Sequence, residues 1–407
     1  MRKLFFLLSL IIWQTSFGQL SSAPGITIFQ ATRISLLQTP DVPFRNFVTS
    51  NGFILRTAAN ANHWNDICWS PELGLFCAVA VTNAGDSASV MTSPDGITWS
   101  ARKAASNNAW TSICWSKTLG LFCAVANTGT GNRVMTSPDG IVWTSRASSS
   151  DYAWGKVLWA KELGIFCALQ TGASDSIRTM TSIDGINWVS STSIAFSFIV
   201  WTSAYSPDLS RFVATTAGTH ALYSNDGKKW SLSNTIVGLS GSQKPIVWSP
   251  ELSLFVAMGS SNANSMSSPD GVNWTVHSIT NGAYTSISWS RELGLFLGFT
   301  STGAVLTSPD AITWASMAGV NIGANAVNVW SPQLGIYAAV GNAGSVATTA
   351  IPIMPQSSSQ VGKIAKDTLN ANSAIFGTWH AGWIPYAVGV DSISFVQPFT
   401  QIPIGID

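Results

Sequence analysis

Charge is what this chain has least of. Of 407 residues only 10% are charged, and 20 basic against 19 acidic residues leave a net charge of +1. That balance excludes electrostatic capture of nucleic acid or an anionic membrane as a main activity. Glutamate is especially scarce, with four copies: Glu72, Glu162, Glu251 and Glu292. Histidine is equally rare, and His63, His220, His277 and His380 show no metal-ligand spacing. Long apolar runs are missing too. Past the N-terminus no uncharged apolar run reaches the roughly 18 residues of a membrane span. No Gly-rich phosphate loop and no Gly-x-Ser-x-Gly elbow occurs. No cofactor and no metal are therefore expected. In abundance are 19 Trp, 34 Gly and 17 Pro, in a chain that is 46% hydrophobic. Low charge with this many aromatics argues against disorder.

Residues 1–18 read as a signal peptide. Arg2 and Lys3 form a basic start, Leu4 to Trp13 an apolar run, and Ser16-Phe17-Gly18 a small-residue cleavage pattern. The mature chain is expected to be exported: secreted, periplasmic or at the cell surface. No transmembrane segment is expected in it, and a monomer is expected. Residues 19–44 form an N-terminal extension. Residues 351–407 read as a linker around Ile351-Pro352-Ile353-Met354-Pro355 and a small C-terminal segment with Trp379, His380, Trp383 and Tyr386.

Between them the chain repeats. One motif runs Ile67-Cys68-Trp69-Ser70-Pro71-Glu72-Leu73-Gly74-Leu75-Phe76, and its Trp is matched with Trp115, Trp159, Trp201, Trp248, Trp289 and Trp330. A second runs Thr92-Ser93-Pro94-Asp95-Gly96-Ile97-Thr98-Trp99, and recurs with Asp139 and Trp143, Asp184 and Trp188, Asp226 and Trp230, Asp270 and Trp274, Asp310 and Trp314. The two alternate, so the unit is about 44 residues long. Each motif holds a hairpin turn, Ser-Pro-Glu-Leu-Gly or Ser-Pro-Asp-Gly, flanked by β-branched and aromatic residues. Two hairpins per unit give four strands, a to d. Seven such units predict an all-β fold, a seven-bladed β-propeller over residues 45–350.

The seventh unit lacks a d strand after Ser345-Val346-Ala347-Thr348-Thr349. Before the first unit, Phe47 to Arg56 offers one: Arg56 precedes Trp69 by the same interval as Arg102 precedes Trp115. The N-terminal segment is thus expected to add the outer strand of blade seven and close the ring.

The second motif resembles the Asp-box, or BNR, repeat of sialidases and of the photosystem II assembly factor, one residue shorter than the usual form. The resemblance implies a propeller whose Asp residues sit structurally on the c–d turns. It also raises sialidase-like glycoside hydrolysis and a scaffold role in assembling a membrane-associated complex. Against hydrolysis, all four Glu and Asp208 share one a–b turn position and the six motif Asp residues share another. No Arg-Ile-Pro motif is found: Arg33 is followed by Ile34 and Ser35. Asp86 with Asp151 or Asp175 could supply a carboxylate pair, but no catalytic residue is nominated.

Reversing strands put a–b and c–d turns on one face, and b–c and d–a loops on the other. The turns are nearly identical; the loops differ from blade to blade. Ligand surfaces on repeat scaffolds are built from the variable loops. Binding of a glycan or protein partner is therefore expected on the loop face. The nominated residues are Trp64, Trp110 and Trp154, five before the a-strand Trp, with Asp86, Asp151, Asp175 and Asp66. The alternative for the three Trp is a hydrophobic plug. Finally, the hairpin register places Cys68 opposite Cys77 and Cys114 opposite Cys123. These pairs could be disulfides, or free thiols filling an apolar slot that valines fill elsewhere.

Overall fold

A computed structural model describes residues 52–81, 88–172, 176–193, 199–235, 244–261, 264–279, 283–317, 322 and 325–349. The signal peptide, the extension 19–44, the segment 351–407, Phe47, Asp86, Asp175, Phe196 and Gln243 lie outside them. Residues 46–290 and 294–352 form one compact unit; the second comprises 1–45, 291–293 and 353–407. No helix among the described residues is long and apolar enough to cross a membrane.

The fold is a seven-bladed β-propeller of four-stranded antiparallel sheets. Blade one shows the pattern: strand a is His63–Ser70, b is Leu75–Val81, c is Val90–Ser93 and d is Ser100–Arg102. Strand b, Leu-Phe-Cys-Ala-Val-Ala-Val, is almost wholly buried. It reads as a continuous apolar run because both its faces meet neighbouring blades. Blade seven closes as expected. Its strands Val327–Ser331, Ile336–Val340 and Ser345–Thr349 are completed by the N-terminal strand Phe53–Thr57, with Phe53 opposite Thr349. Arg56 Nε donates to Thr348 Oγ1 at 2.9 Å, as Arg102 does to Thr92 at 3.0 Å and Arg146 to Thr136 at 2.9 Å. One cross-strand d-to-c bond thus recurs in blades seven, one and two, which is why the interval from Arg56 to Trp69 gave the register.

The core lies between blades. In blade one, Ile67, Trp69, Phe76 and Ala78 pack on Ile336, Ala338 and Val340 of blade seven. Its other face, with Cys77, Val79 and Val90, packs on Trp110, Ile113 and Phe122 of blade two. Each a-strand aromatic rests on the b-strand ring opposite it. The pairs run Trp69–Phe76, Trp115–Phe122, Trp159–Phe166, Tyr205–Phe212, Trp248–Phe255, Trp289–Phe296 and Trp330–Tyr337, with centroids 4.4–4.7 Å apart.

That series corrects the repeat in blade four. Tyr205, not Trp201, holds the a-strand position, and Val200 pairs with Thr216 while Ala204 faces Val213. The turn decides: Ser206 Oγ accepts from Leu209 N at 3.2 Å, as Ser70 Oγ does from Leu73 N at 3.3 Å. The residue five before the aromatic is therefore Val200.

The second motif is a closed hydrogen-bond unit in all six copies. In blade one Ser93 Oγ donates to Asp95 Oδ1 at 2.9 Å and accepts from Gly96 N at 2.8 Å. Asp95 Oδ1 also accepts from Ile97 N and Thr98 N, both at 2.8 Å, and Trp99 Nε1 donates to Gly96 O at 2.9 Å. Gly96 sits at φ +73°, and a Cβ there would lie 2.9 Å from Thr348 Cγ2 of blade seven. Glycine thus meets two demands, a left-handed turn and close interblade approach.

The cysteines keep the expected register, Cys68 opposite Cys77 and Cys114 opposite Cys123. They carry free thiols, as does Cys167. Burial pushes the Cys77, Cys123 and Cys167 thiols far above their usual range. The slot is an interblade contact that Val247 and Val256 fill in blade five, so a small apolar group suffices there.

Candidate binding surface

On the turn face the carboxylates are committed to structure. Trp115 Nε1 of blade two donates to Glu72 Oε2 of blade one at 2.8 Å. Trp289 donates to Glu251 at 2.7 Å, Trp248 to Asp208 at 3.2 Å, and Trp69 to the amide oxygen of Gln333 at 2.8 Å. In blades one, four and five the a–b turn acid therefore ties the next blade's indole, and in blade seven Gln333 does so. Burial alone would raise the Glu72 carboxyl, but Lys117, 2.9 Å away, and Trp115 hold it below the usual range. The motif Asp residues follow the same balance. Burial raises each, yet bonds from the backbone N–H groups of their own turns and the motif Ser outweigh it and leave all six depressed. Among the described residues no group of three or more His, Cys, Asp or Glu is arranged to hold a metal.

Among the described residues one ion pair joins the a strands of two blades. Asp66 is 8% exposed. Its Oδ2 accepts from Lys156 Nζ and Ser112 Oγ, both at 2.7 Å, and from Ile113 N at 3.1 Å; Oδ1 accepts from Ile67 N at 3.1 Å. One carboxylate thus joins blades one, two and three. The same position repeats its task elsewhere: Ser112 Oγ accepts from Val157 N at 3.2 Å, and Ser286 Oγ from Asn328 N at 3.3 Å. Lys156 has no acceptor to offer blade four, so it reaches back to Asp66 instead.

The three nominated Trp residues are not presented on the loop face. Trp64, Trp110 and Trp154 are 0% exposed and pack in the interblade cores. Trp110 and Trp154 spend their Nε1 donors on Ser106 O and Ser150 O, each at 3.2 Å. A β-bulge just after each one, between Trp64 and Asp66 for example, shifts the strand phase and turns the indole inward. No ring face is left for a sugar or a partner.

What the loop face does present is a polar aromatic group on blades two and three. Asp151 accepts from Gly131 N at 2.7 Å and stands 3.7 Å from Arg133 Nε. Arg133 in turn donates to Gly129 O at 2.8 Å and Asn127 O at 3.0 Å, folding the b–c loop of blade two into a fixed shape. Next to Asp151, Tyr152 is 36% exposed, with the Arg178 guanidinium 4.5 Å from its ring centroid. Sequence reasoning passed over Tyr152, Arg178 and Arg133 because none occupies a repeat position. Their non-repetition was the available signal.

No family model matches the chain, and no curated protein matches it. Solved structures do. YCF48 bound to D1 peptide superposes with a TM-score of 0.56 at 15% identity, covering 74% of this chain and 97% of that one. YCF48 from Cyanidioschyzon merolae gives 0.54 at 13%, covering 74% and 100%. Virginiamycin B lyase from Staphylococcus aureus gives 0.61 at 9%, again covering 74% and 100%. At such identities the likeness establishes the propeller fold alone. One structural neighbour is thus a protein bound to a peptide and another a lyase.

Proposed function

We propose that this is an exported, non-enzymatic propeller of the Asp-box type that binds a protein partner through its b–c/d–a loop face. The observation that carries this reading is the Tyr152–Arg178 stack beside the pinned 127–133 loop. An exposed aromatic and a guanidinium, both held in place, are the residue types that dominate binding hot spots. The use of the turn-face carboxylates as interblade ties supports the non-enzymatic part, since few acids are left for catalysis. The peptide seen on one structural neighbour supports a protein rather than a glycan as partner. The apolar, cleavable pattern of residues 1–18 supports export.

The test is a pull-down of the mature protein from its host envelope and medium, run beside a glycan array. A protein captured by the parent chain and lost with Tyr152→Ala and with Arg178→Ala would bear the proposal out. Capture unchanged by both variants would sink the site; sugar binding or sugar release would favour the glycan or hydrolase readings. The exposed position of Tyr152 keeps its substitution structurally mild.

A further inference from the structure

Blade four departs from the other six at its turn-face end, where three slots of the repeat gain a cation or a ring. The first residue of strand b, opposite the last of strand a, is Leu75, Leu121, Ile165, Leu254, Leu295 and Ile336 in the other blades and Arg211 here. The strand c slot two residues before the motif Asp or its flanking residue is Thr92, Thr136, Thr181, Ser267, Thr307 and Thr348 elsewhere and Tyr223 here. The pair after the motif glycine, Ile97-Thr98 in blade one and Val272-Asn273 in blade five, is Lys228-Lys229. In blades one and five the same two turns carry acids only.

Contacts bring these slots together. Arg211 Nε donates at 2.9 Å to the side-chain oxygen of Asn225, which opens the turn that carries both lysines. Arg211 Nη1 donates at 2.7 Å to Asp270 O, on the matching turn of blade five. The guanidinium carbon lies 5.2 Å from the Tyr223 ring centroid, and that ring packs on the apolar cluster between blades four and five. Arg211 is thus fixed on three sides, while its Nη2 bonds nothing among the described residues. Lys228 and Lys229 give the turn only their backbone N–H groups, which donate to Asp226 Oδ1 at 2.8 and 2.7 Å. Both residues are exposed, and among the described residues neither forms an ion pair. The turn is tight, with Gly227 N donating to Ser224 Oγ at 2.9 Å, and its ends lie within about 7 Å of each other. Both lysines and Arg211 therefore fall within the span of one short peptide. Leu209, two residues before Arg211, adds an exposed apolar side chain.

The repeat itself does not call for these cations, since aliphatic residues serve the Arg211 and Lys228 slots in the other blades. An arginine stacked on a tyrosine, held in orientation with a donor edge left over, is a preformed holder for a carboxylate. Arg and Tyr are also the residue types that dominate binding hot spots. Two acids lie among the cations: Asp208, which accepts from Trp248 Nε1 at 3.2 Å, and Asp226, which accepts from its own turn. A uniform polyanion such as nucleic acid or an anionic membrane would be repelled by both. A protein segment places its acids one at a time and suits the mixed pattern. We propose that the turn-face end of blade four is a docking surface for an acidic segment of a protein partner. One carboxylate takes the free edge of Arg211, others meet Lys228 and Lys229, and an apolar side chain lies on Leu209. The surface is on the opposite face from the Tyr152–Arg178 group, so either can fail without the other.

An array of peptides about nine residues long, probed with the full chain, tests it. The peptides carry Asp and Glu at varied spacing around a leucine, beside copies with Asn and Gln in their place. Peptides with several acids are expected to bind, and their amide copies to bind about tenfold more weakly, as loss of a charge-assisted bond implies. Arg211→Leu and Lys228→Ile/Lys229→Thr restore residues that other blades carry, so both variants should keep the fold, which thermal midpoints check. Arg211→Leu should weaken the acidic peptides by about tenfold, and the exposed lysine pair by about two- to fivefold. Binding should fade at roughly 1 M salt, where the screening length is about 3 Å. Tyr152→Ala should leave it unchanged. No acidic peptide captured, amide copies bound equally well, or capture unchanged in both blade four variants overturns the proposal. So does capture lost in Tyr152→Ala alone, which would put the acids on the loop face. Heparin and phosphatidylserine vesicles are run as competitors; if either displaces the peptides as well as free peptide does, a general polyanion site takes the proposal's place.

Discussion

Blades one and four fill the same six slots of strand a with different chemistry. In blade one the run is Trp64-Asn65-Asp66-Ile67-Cys68-Trp69, and the Asn65 Nδ2, the Asp66 carboxylate and the Trp69 indole all bond a neighbouring blade, while the Trp64 indole N–H has no partner. In blade four it is Val200-Trp201-Thr202-Ser203-Ala204-Tyr205. Here the Trp201 indole and the Ser203 hydroxyl are buried without partners, and only Thr202 ties the next blade. The contrast separates two ways of departing from a repeat. Asp66 is unlike its counterparts but improves the ring by joining three blades. Trp201 and Ser203 are unlike theirs and leave buried donors unmet. Departures of the second kind cost stability, so they are where selection for binding is to be sought.

The largest expected effect comes from breaking the better-tied blade. Asp66→Ala strands the Lys156 ammonium and removes acceptors from Ser112 and Ile113. About 3–5 kcal/mol of stability should be lost, the usual cost of half a buried pair, read as a fall in the denaturation midpoint. In Asp66→Ala/Lys156→Met the stranded charge is gone, so part of the loss should return. If the double variant is no more stable than the single one, Lys156 is not what Asp66 holds.

Acid should loosen every motif turn. The six Asp carboxyls have folded pKa values below their unfolded ones. Their contribution is therefore fully present above the ordinary carboxylate pKa near 4 and is lost as pH falls through the depressed folded values. Asp184 and Asp270, which each take an extra bond from an Asn Nδ2 at 2.8 Å, should matter most among them. Asp184→Asn should lower stability at neutral pH, and its gap from the parent should shrink as pH falls toward 3. A gap that is constant with pH would show that the charge is not what the turn uses.

Restoring the repeat in blade four should stabilise it. Ser203 is 5% exposed in the slot that Ile67, Ile113 and Val157 fill with apolar side chains. Ser203→Val removes an unpaired buried hydroxyl and should gain about 1 kcal/mol. A loss instead would mean that the hydroxyl has a role in the seam.

These particulars show what the sequence made legible. Turn chemistry is local, so Ser-x-Asp-Gly and Ser-Pro-x-Leu spelled out period, blade number, register and ring closure. Position within a blade was less secure where the reading followed a residue type instead of a turn. Trp201 took the place of Tyr205 because it is a Trp, although the turn at Ser206 fixes the register four residues later. Side-chain direction at Trp64, Trp110 and Trp154 was not legible at all. A bulge inverts the alternation of a strand without a sequence signature of its own, and a Trp aimed at a channel mouth looks the same in one dimension as one aimed into a core.

The smallest effect expected is also the most direct measure of a single tie. Blade two has Thr118 where blades one and five have Glu72 and Glu251, so blade three's Trp159 Nε1 meets no acceptor. Thr118→Glu copies the turn that places Glu72 on Trp115 at 2.8 Å. Thr118 is exposed, so the added carboxylate stays in water at little desolvation cost. One charge-assisted bond to a formerly unpaired indole should then raise stability by about 1 kcal/mol. The gain should vanish in a Trp159→Phe background, which keeps a ring on Phe166 but has no N–H to donate. A gain that persists there would come from surface charge and not from the interblade bond.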